Sequence, residues 1–240
     1  SDRTTFFNFL ASHDGVGLNP ARGILSSADI DSLVGQTLAH GGLISYKQNS
    51  DGTTSPYEMN INYFDALSDP SSEEPLDLQV DRFMAAQAIM LSLVGVPGIY
   101  FHSLFGSRNW REGMELTKHN RTINRQKLNR EELEKQLANL DSLRSKVFTR
   151  YRELLKARSS TSAFEPHGGQ KVLDAGSGVF ALLRTSTDQT KQVLCLQNVT
   201  AKETTVKKPV IQPMRDLLAN RTEEADIRLS PYQTKWLEIA

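Results

Sequence analysis

Phe6-Phe7-Asn8-Phe9-Leu10-Ala11-Ser12-His13-Asp14-Gly15 is an apolar run of strand length that ends in two polar, titratable residues and a glycine. Phe6–Leu10 is rich in Phe and does not alternate, which predicts a fully buried strand. A buried strand ending in a His-Asp pair is how a parallel α/β barrel presents a site at the C-terminal rim of its strands. The stretch opens a 240-residue sequence that lacks an initiator Met, and the expectation is a fragment without its N-terminal part.

Beyond this strand, Ile30, Leu33, Val34, Thr37 and Leu38 recur at helical spacing and predict a helix over Ser27–Ala39, with Ser27 able to cap it. Residues 41–56 are rich in Gly, Ser, Asn and Asp and read as a long loop. Asp77–Val94 is apolar over most of a helical circumference, as a barrel helix against a sheet would be. Gly95-Val96-Pro97-Gly98 breaks it, and Ile99–Phe101 is the next predicted strand. Residues 103–130 have no periodicity. A helical stripe resumes behind Asn129, which forms a capping-box pattern with Glu132, and runs to about Lys156 with a break near Asp141.

From Ser159 onward the pattern changes. Lys171–Leu173, Val179–Arg184, Gln192–Gln197, Met214–Leu218 and Thr234–Ile239 are short runs between Gly, Asp, Thr and Asn turns, which is antiparallel β spacing. The predicted fold class is therefore α/β, with strand–helix–strand–helix over residues 1–158 and a small all-β antiparallel domain over residues 159–240. Two βα units cannot close a barrel of eight, which takes roughly 250 residues.

Bulk composition excludes several classes of function. Lys+Arg and Asp+Glu are 28 each, so a formal net charge of zero gives no general attraction to nucleic acid or an anionic membrane. Apolar stretches fall far short of the roughly 20 residues of a membrane span. The one cysteine, Cys195, rules out an internal disulfide framework and a Cys-rich zinc site, and its apolar neighbours predict a buried, inert thiol.

Four segments in order carry a resemblance: residues 9–17 (FLASHDGVG), 55–67 (SPYEMNINYFDAL), 95–100 (GVPGIY) and 120–125 (NRTINR). Together they resemble the α-amylase superfamily, glycoside hydrolase family 13, in its sucrose phosphorylase branch, which includes glucosylglycerate phosphorylases. The resemblance implies that the first segment is the seventh barrel strand and Ile99–Phe101 the eighth, so that residues 1–158 are the C-terminal portion of a (β/α)8 barrel and residues 159–240 the C-terminal β domain. It also implies a retaining mechanism, in which a carboxylate attacks the anomeric carbon while a second protonates the leaving oxygen. Inorganic phosphate then resolves the glucosyl-enzyme to α-glucose 1-phosphate, with no cofactor and no metal. In that family the nucleophile follows the fourth strand and the acid/base the fifth. No segment resembles either, so the 240 residues alone are expected to be inactive.

Residue by residue, Asp14 matches the third family carboxylate, which holds sugar hydroxyls in the transition state, and is the catalytic candidate. From the residues alone, Asp14 could equally satisfy backbone N–H groups of the Gly15–Gly17 turn. His13 matches a neighbouring hydroxyl-binding histidine. Arg121 matches the arginine of a Gly-Arg-Asp-Ile-Asn-Arg segment at the glucose subsite, with Asn120 and Thr122 in place of Gly and Asp. Tyr57 and Glu58 match the branch's mobile acceptor-site loop. Sucrose phosphorylases usually carry Gln at the Glu58 position, which argues against plain sucrose specificity. Between Arg108 and Arg130 seven Lys/Arg face two acidic residues, a loop suited to phosphate or carboxylate.

The implied partners are a small carbohydrate and phosphate, with neither nucleic acid nor membrane. The resemblance leaves room for a homodimer of the full-length enzyme, and the expected location is cytoplasmic. Two alternatives stay open: a hydrolase or transglucosidase of the same superfamily, and a non-catalytic carbohydrate-binding module.

Overall fold

The computed structural model describes residues 3–207 and 212–239. Along the chain run β1 (Phe7–Asn8), β2 (Val16–Gly17), α1 (Ser27–Ala39), β3 (Leu43–Gln48) and β4 (Thr54–Asn60). Next come α2 (Tyr63–Leu67), α3 (Leu76–Ser92), β5 (Val96–Pro97), α4 (Phe101–Leu104), α5 (Arg111–Thr117), α6 (Arg130–Ala138) and α7 (Leu143–Ser159). The remainder is β6 (Gly169–Leu173), β7 (Val179–Thr185), β8 (Gln192–Asn198), β9 (Thr204–Val206), β10 (Met214–Asp216), β11 (Arg221–Glu223), β12 (Ile227–Leu229) and β13 (Thr234–Ile239). Residue contacts gather the chain into two units.

One unit comprises Ser1–Phe9, Pro75–Gly98 and Thr149–Ala240. In it β1 and β5 pair in parallel, with Phe7 opposite Val96, and α3 lies between them in sequence as the crossover that parallel pairing requires. The predicted strand over Phe6–Leu10 pairs only at Phe7–Asn8, and Phe6, Phe7 and Phe9 are 68%, 66% and 53% exposed rather than buried. Among the described residues β1 has β5 as its one neighbouring strand, so these rings are left mostly uncovered. The second strand pairs at Val96–Pro97, earlier than the expected Ile99–Phe101, and Phe101 already opens α4. Gly98 lies against the Phe7 ring, which comes within 2.5 Å of where a Cβ would stand.

The same unit holds a six-stranded antiparallel sheet in the order β11-β10-β13-β8-β7-β6 and a separate β12-β9 pair. One apolar cluster gathers Leu194, Leu196, Met214, Ile227 and Leu237. Alternation sends Trp236 the other way, where its ring lies 4.7 Å from that of Phe164. Arg184 is fully buried and donates to the carbonyls of Ser92 at 3.0 Å, Glu165 at 2.8 Å and Gly169 at 3.1 Å, tying the end of α3 to the sheet. Burial pushes its guanidinium down to about 10. Cys195 is buried, and the loss of solvation pushes its thiol well up, so it is inert.

Lys235 is 2% exposed and its ammonium donates to Glu223 at 2.6 Å. Burial raises the Glu223 carboxyl, but hydrogen bonding and charge from Lys235 and Arg221 outweigh it and hold the group below its ordinary 4.5. Its stabilising contribution is thus present above that value and lost as pH falls through the lower folded one. Glu223→Gln leaves a buried ammonium without its counter-charge and is expected to cost about 3–5 kcal/mol, read from denaturant unfolding at neutral pH.

The other unit comprises Leu10–Glu74 and Ile99–Phe148. Its core gathers Leu18, Ile30, Ile44, Met59 and Ile61. The predicted helix over Ser27–Ala39 is present as α1, but Ser26, not Ser27, caps it, in a reciprocal capping box with Asp29. The predicted loop over residues 41–56 is instead mostly the hairpin β3–β4, with β2 as a third strand. Its turn is Asn49-Ser50-Asp51-Gly52-Thr53, where Gly52 takes φ +83° and Asp51 accepts from the Thr53 amide at 2.9 Å. The predicted break near Asp141 separates α6 from α7.

Candidate functional site

The polar groups of the second unit converge where the His13-Asp14 turn meets β4 and the short 3-10 turn Asn120–Asn124. The turn is held locally: the Asp14 amide donates to the Ser12 hydroxyl, Oγ, at 3.1 Å. From the opposite side Asn124 Nδ2 donates to the Asp14 carbonyl at 3.0 Å, and Arg125 Nε to the His13 carbonyl at 2.6 Å. The Tyr100 hydroxyl in turn donates to the Asn124 carbonyl at 2.7 Å. Burial raises the Tyr100 phenol, so it stays protonated.

Gly15 follows at once and has no room for a side chain. A Cβ there would stand 2.4 Å from the Met59 carbonyl and 2.6 Å from Glu58 Cγ. This close approach lets β2 pair with β4, Val16 opposite Met59 and Gly17 opposite Glu58. Gly15→Ala is expected to push the two strands apart, lowering stability by about 1–3 kcal/mol in a thermal or denaturant melt.

Pairing of β3 with β4 runs from Ser45–Glu58 to Tyr46–Pro56, so Tyr57 is the extra residue of a bulge. Such bulges re-aim side chains beside functional sites. Tyr57 and Glu58, expected in a mobile loop, therefore sit in a paired strand. Tyr57 is half-buried and its carbonyl accepts from the Leu18 amide at 2.8 Å. Glu58 is 5% exposed.

Arg121 joins the two carboxylates. Its Nε reaches Glu58 Oε1 at 3.0 Å and its Nη2 reaches Oε2 at 2.7 Å, a bidentate pair, while Nη1 reaches Asp14 Oδ1 at 2.7 Å. The Glu58 hydrogen bonds, with the Glu58 and Asp14 charges, raise the Arg121 guanidinium, which stays ionised. A second guanidinium, Arg125, reaches the same Asp14 oxygen at 3.1 Å through Nη2. The 3-10 turn brings Asn124, three residues on, to the same side as Arg121, and Arg125 follows at once as its C-cap.

No N–H of the Gly15–Gly17 turn bonds the Asp14 carboxylate among the described residues; its hydrogen bonds come from Arg121 and Arg125. Oδ2 of Asp14, which is 39% exposed, accepts from none of them. His13 is 71% exposed, with Nε2 3.6 Å from Asp14 Oδ1, too long for a hydrogen bond. Both groups thus present unused hydrogen-bonding atoms beside a charge-balanced pair of arginines and carboxylates.

Of the sequence candidates, Asp14, Glu58 and Arg121 are brought into one hydrogen-bonded chain, with His13 beside them and Tyr57 adjacent on β4. The rest of the basic segment divides. Arg108 is bound to buried Asp65 at 2.8 Å, and Arg130 to Glu134 at 2.7 Å one helical turn on. Burial raises Asp65, against the Arg108 charge and the Asn109 amide bonded to it at 2.7 Å. His102 is buried with Nδ1 2.9 Å from Ser107 Oγ, and burial and the Arg144 charge push it below its ordinary value, so it is neutral. Sequence reasoning missed Asn124, Arg125 and Tyr100 as site residues. All three lie inside the segments 95–100 and 120–125 that carry the resemblance, but nothing in those segments said which side chains reach Asp14. No group of three or more His, Cys, Asp or Glu among the described residues could hold a metal ion.

The sequence is 54% identical over 197 residues to a glucosylglycerate phosphorylase of Spirochaeta thermophila, covering 82% of this chain and 33% of that protein. It is 42% identical over 237 residues to one from Allomeiothermus silvanus and 38% identical over 245 residues to one from Escherichia coli, covering 99% of this chain in both. The chain spans 41% and 42% of those two proteins, so it corresponds to less than half the length of each relative. No family model matches. Among solved structures, a sucrose 6F-phosphate phosphorylase from Thermoanaerobacter thermosaccharolyticum superposes with a TM-score of 0.67 at 21% identity, over 93% of this chain and 40% of that one. An α-amylase from Geobacillus thermoleovorans superposes with a TM-score of 0.56 at 11% identity over 98% of this chain. The fold is that of part of these α/β-barrel enzymes with an antiparallel sheet.

Proposed function

We propose that this chain, which its sequence places in the sucrose phosphorylase branch of glycoside hydrolase family 13, is part of a retaining glucoside phosphorylase acting on a glucosylglycerate-type α-glucoside. The reaction moves the glucosyl group from the donor to inorganic phosphate, giving α-glucose 1-phosphate, and calls for no cofactor. The observation that carries the reading is the Asp14–Arg121–Glu58 chain, a rigid, charge-balanced rim with one carboxylate oxygen left free.

In this proposal Asp14 Oδ2 and the exposed His13 ring take the glucosyl hydroxyls. Hydroxyl–carboxylate bonds are charge-assisted and strengthen as positive charge develops on the sugar ring. Glu58 acts through Arg121: with both oxygens engaged, it fixes the guanidinium against Asp14 and cancels its charge. Tyr57, re-aimed by the bulge, borders the acceptor side. Residues 1–158 supply the barrel portion and residues 159–240 the β domain. The carboxylates that break the glycosidic bond would come from the part of the enzyme outside this match, so the 240 residues alone are inactive.

The test is a donor comparison in the full-length polypeptide carrying these residues, at fixed phosphate. Glucosylglycerate is expected to give a kcat/KM at least about tenfold above that of sucrose, a difference of about 1.4 kcal/mol in transition-state binding. Preference for sucrose would overturn the substrate assignment, and turnover of starch-like glucans in water would favour the hydrolase alternative. No helix among the described residues is long and apolar enough to cross a membrane. A cytoplasmic location and a homodimer of the full-length enzyme belong to the same proposal, read by fractionation and by sedimentation.

A further inference from the structure

The Arg125 side chain makes hydrogen bonds to the His-Asp turn and to nothing else among the described residues. Its Nε holds the His13 carbonyl at 2.6 Å and its Nη2 holds Asp14 Oδ1 at 3.1 Å. One planar guanidinium therefore spans the backbone of one residue and the carboxylate of the next. Arg121 Nη1 reaches the same Oδ1 at 2.7 Å from the other arginine position, and Asn124 Nδ2 holds the Asp14 carbonyl at 3.0 Å.

A carboxylate held at one oxygen by one donor can pivot about that oxygen. Two donors arriving at Oδ1 from different residues restrict that freedom, because turning the carboxylate about Cβ–Cγ carries Oδ1 away from both and pivoting it about Oδ1 misaligns its lone pairs with both N–H groups. The direction of Oδ2 is then fixed, and Oδ2 is the oxygen to which none of the described residues donates. We propose that Arg125 is a positioning residue: it clamps the His13-Asp14 turn so that Asp14 Oδ2 points at the glucosyl hydroxyl in the reaction. This rests on the assignment of Asp14 as a sugar ligand made above.

Two features separate positioning from general structural support. The Arg125 side chain is 37% exposed, so its removal opens no cavity in the core. Its side-chain bonds all end on His13 and Asp14, so no other element depends on them. The fork also matters. A lysine ammonium is a compact point charge on one stem and cannot reproduce two fixed N–H directions.

The experiment compares the full-length enzyme with its Arg125→Ala and Arg125→Lys variants, using glucosylglycerate and phosphate. Arg125→Ala is expected to lower kcat by about 30–100-fold, the scale of a reacting group misplaced by about 1 Å, with donor KM within about threefold. Melting temperature should stay within a few degrees. Added guanidinium chloride, at millimolar levels far below denaturing ones, should restore part of the lost kcat. Arg125→Lys should stay nearer to Arg125→Ala than to wild type. An Arg125→Ala enzyme with wild-type kcat overturns the proposal, as does a loss accompanied by unfolding and unrescued by guanidinium. A crystal structure of Arg125→Ala reads the device without any assay. A rotated Asp14 carboxylate supports it and an unmoved one refutes it, whereas wild-type inactivity toward glucosylglycerate would strike only at the substrate reading.

Discussion

Asp14→Asn is expected to lower glucosyl transfer to phosphate by about 10³-fold in kcat while changing donor KM far less, about fivefold or under. The substitution keeps shape and removes charge. Asp14 Oδ1 accepts from Arg121 at 2.7 Å and from Arg125 at 3.1 Å, so an asparagine would turn its oxygen toward the guanidiniums. That leaves an amide NH2 where Oδ2 stood. A donor there opposes the developing positive charge of an oxocarbenium-like transition state, which a carboxylate favours. The ground-state sugar, uncharged, is affected less, and this separates kcat from KM. Steady-state kinetics on the purified variant decide it. An Asp14→Asn enzyme within about threefold of wild type would mean that Asp14 serves only to hold its arginines.

Glu58→Gln is expected to lower kcat/KM for the donor by about 10²-fold, or about 2.7 kcal/mol, whichever acceptor is used. The glutamine offers one acceptor oxygen to a guanidinium that now uses two, and its NH2 faces an N–H of Arg121. Arg121 would lose its fork and shift onto Asp14, adding a charge that Glu58 had cancelled. If Glu58 instead touches the acceptor alone, donor kcat/KM stays within about threefold and only the KM for glycerate in the synthetic direction rises. The exchange matters because a Gln at this position would leave the same arginine in a different electrostatic setting.

Several features of this chain were legible because local chemistry and global packing agree. α1 and α3 follow from their apolar spacing. The runs at Val179, Gln192 and Thr234 become β7, β8 and β13 because alternation and turn residues coincide. The His13-Asp14 turn was legible because two titratable residues end an apolar run. The β3–β4 hairpin was not, because Ser45, Lys47 and Gln48 on β3 and Thr54 and Ser55 on β4 are polar. Only Asp51-Gly52 signals the turn. Phe6–Leu10 read as buried because composition reports what a strand can cover, not what covers it; here three of its rings face solvent. The role of Arg125 was hidden for another reason. Among seven basic residues in one aperiodic segment, only the 3-10 turn decides which guanidiniums reach Asp14 and which, like Arg108 on Asp65, are used elsewhere.

Glucosyl transfer to phosphate with retention is decided by its products. The full-length polypeptide carrying this chain is incubated with 2-O-α-glucosylglycerate, with and without inorganic phosphate, and followed by 31P and 1H NMR. The expected products are α-glucose 1-phosphate and glycerate in equal amounts, formed only when phosphate is present, because two inversions at the anomeric carbon return the α configuration. Free glucose released at the same rate without phosphate, or β-glucose 1-phosphate as the product, would contradict it.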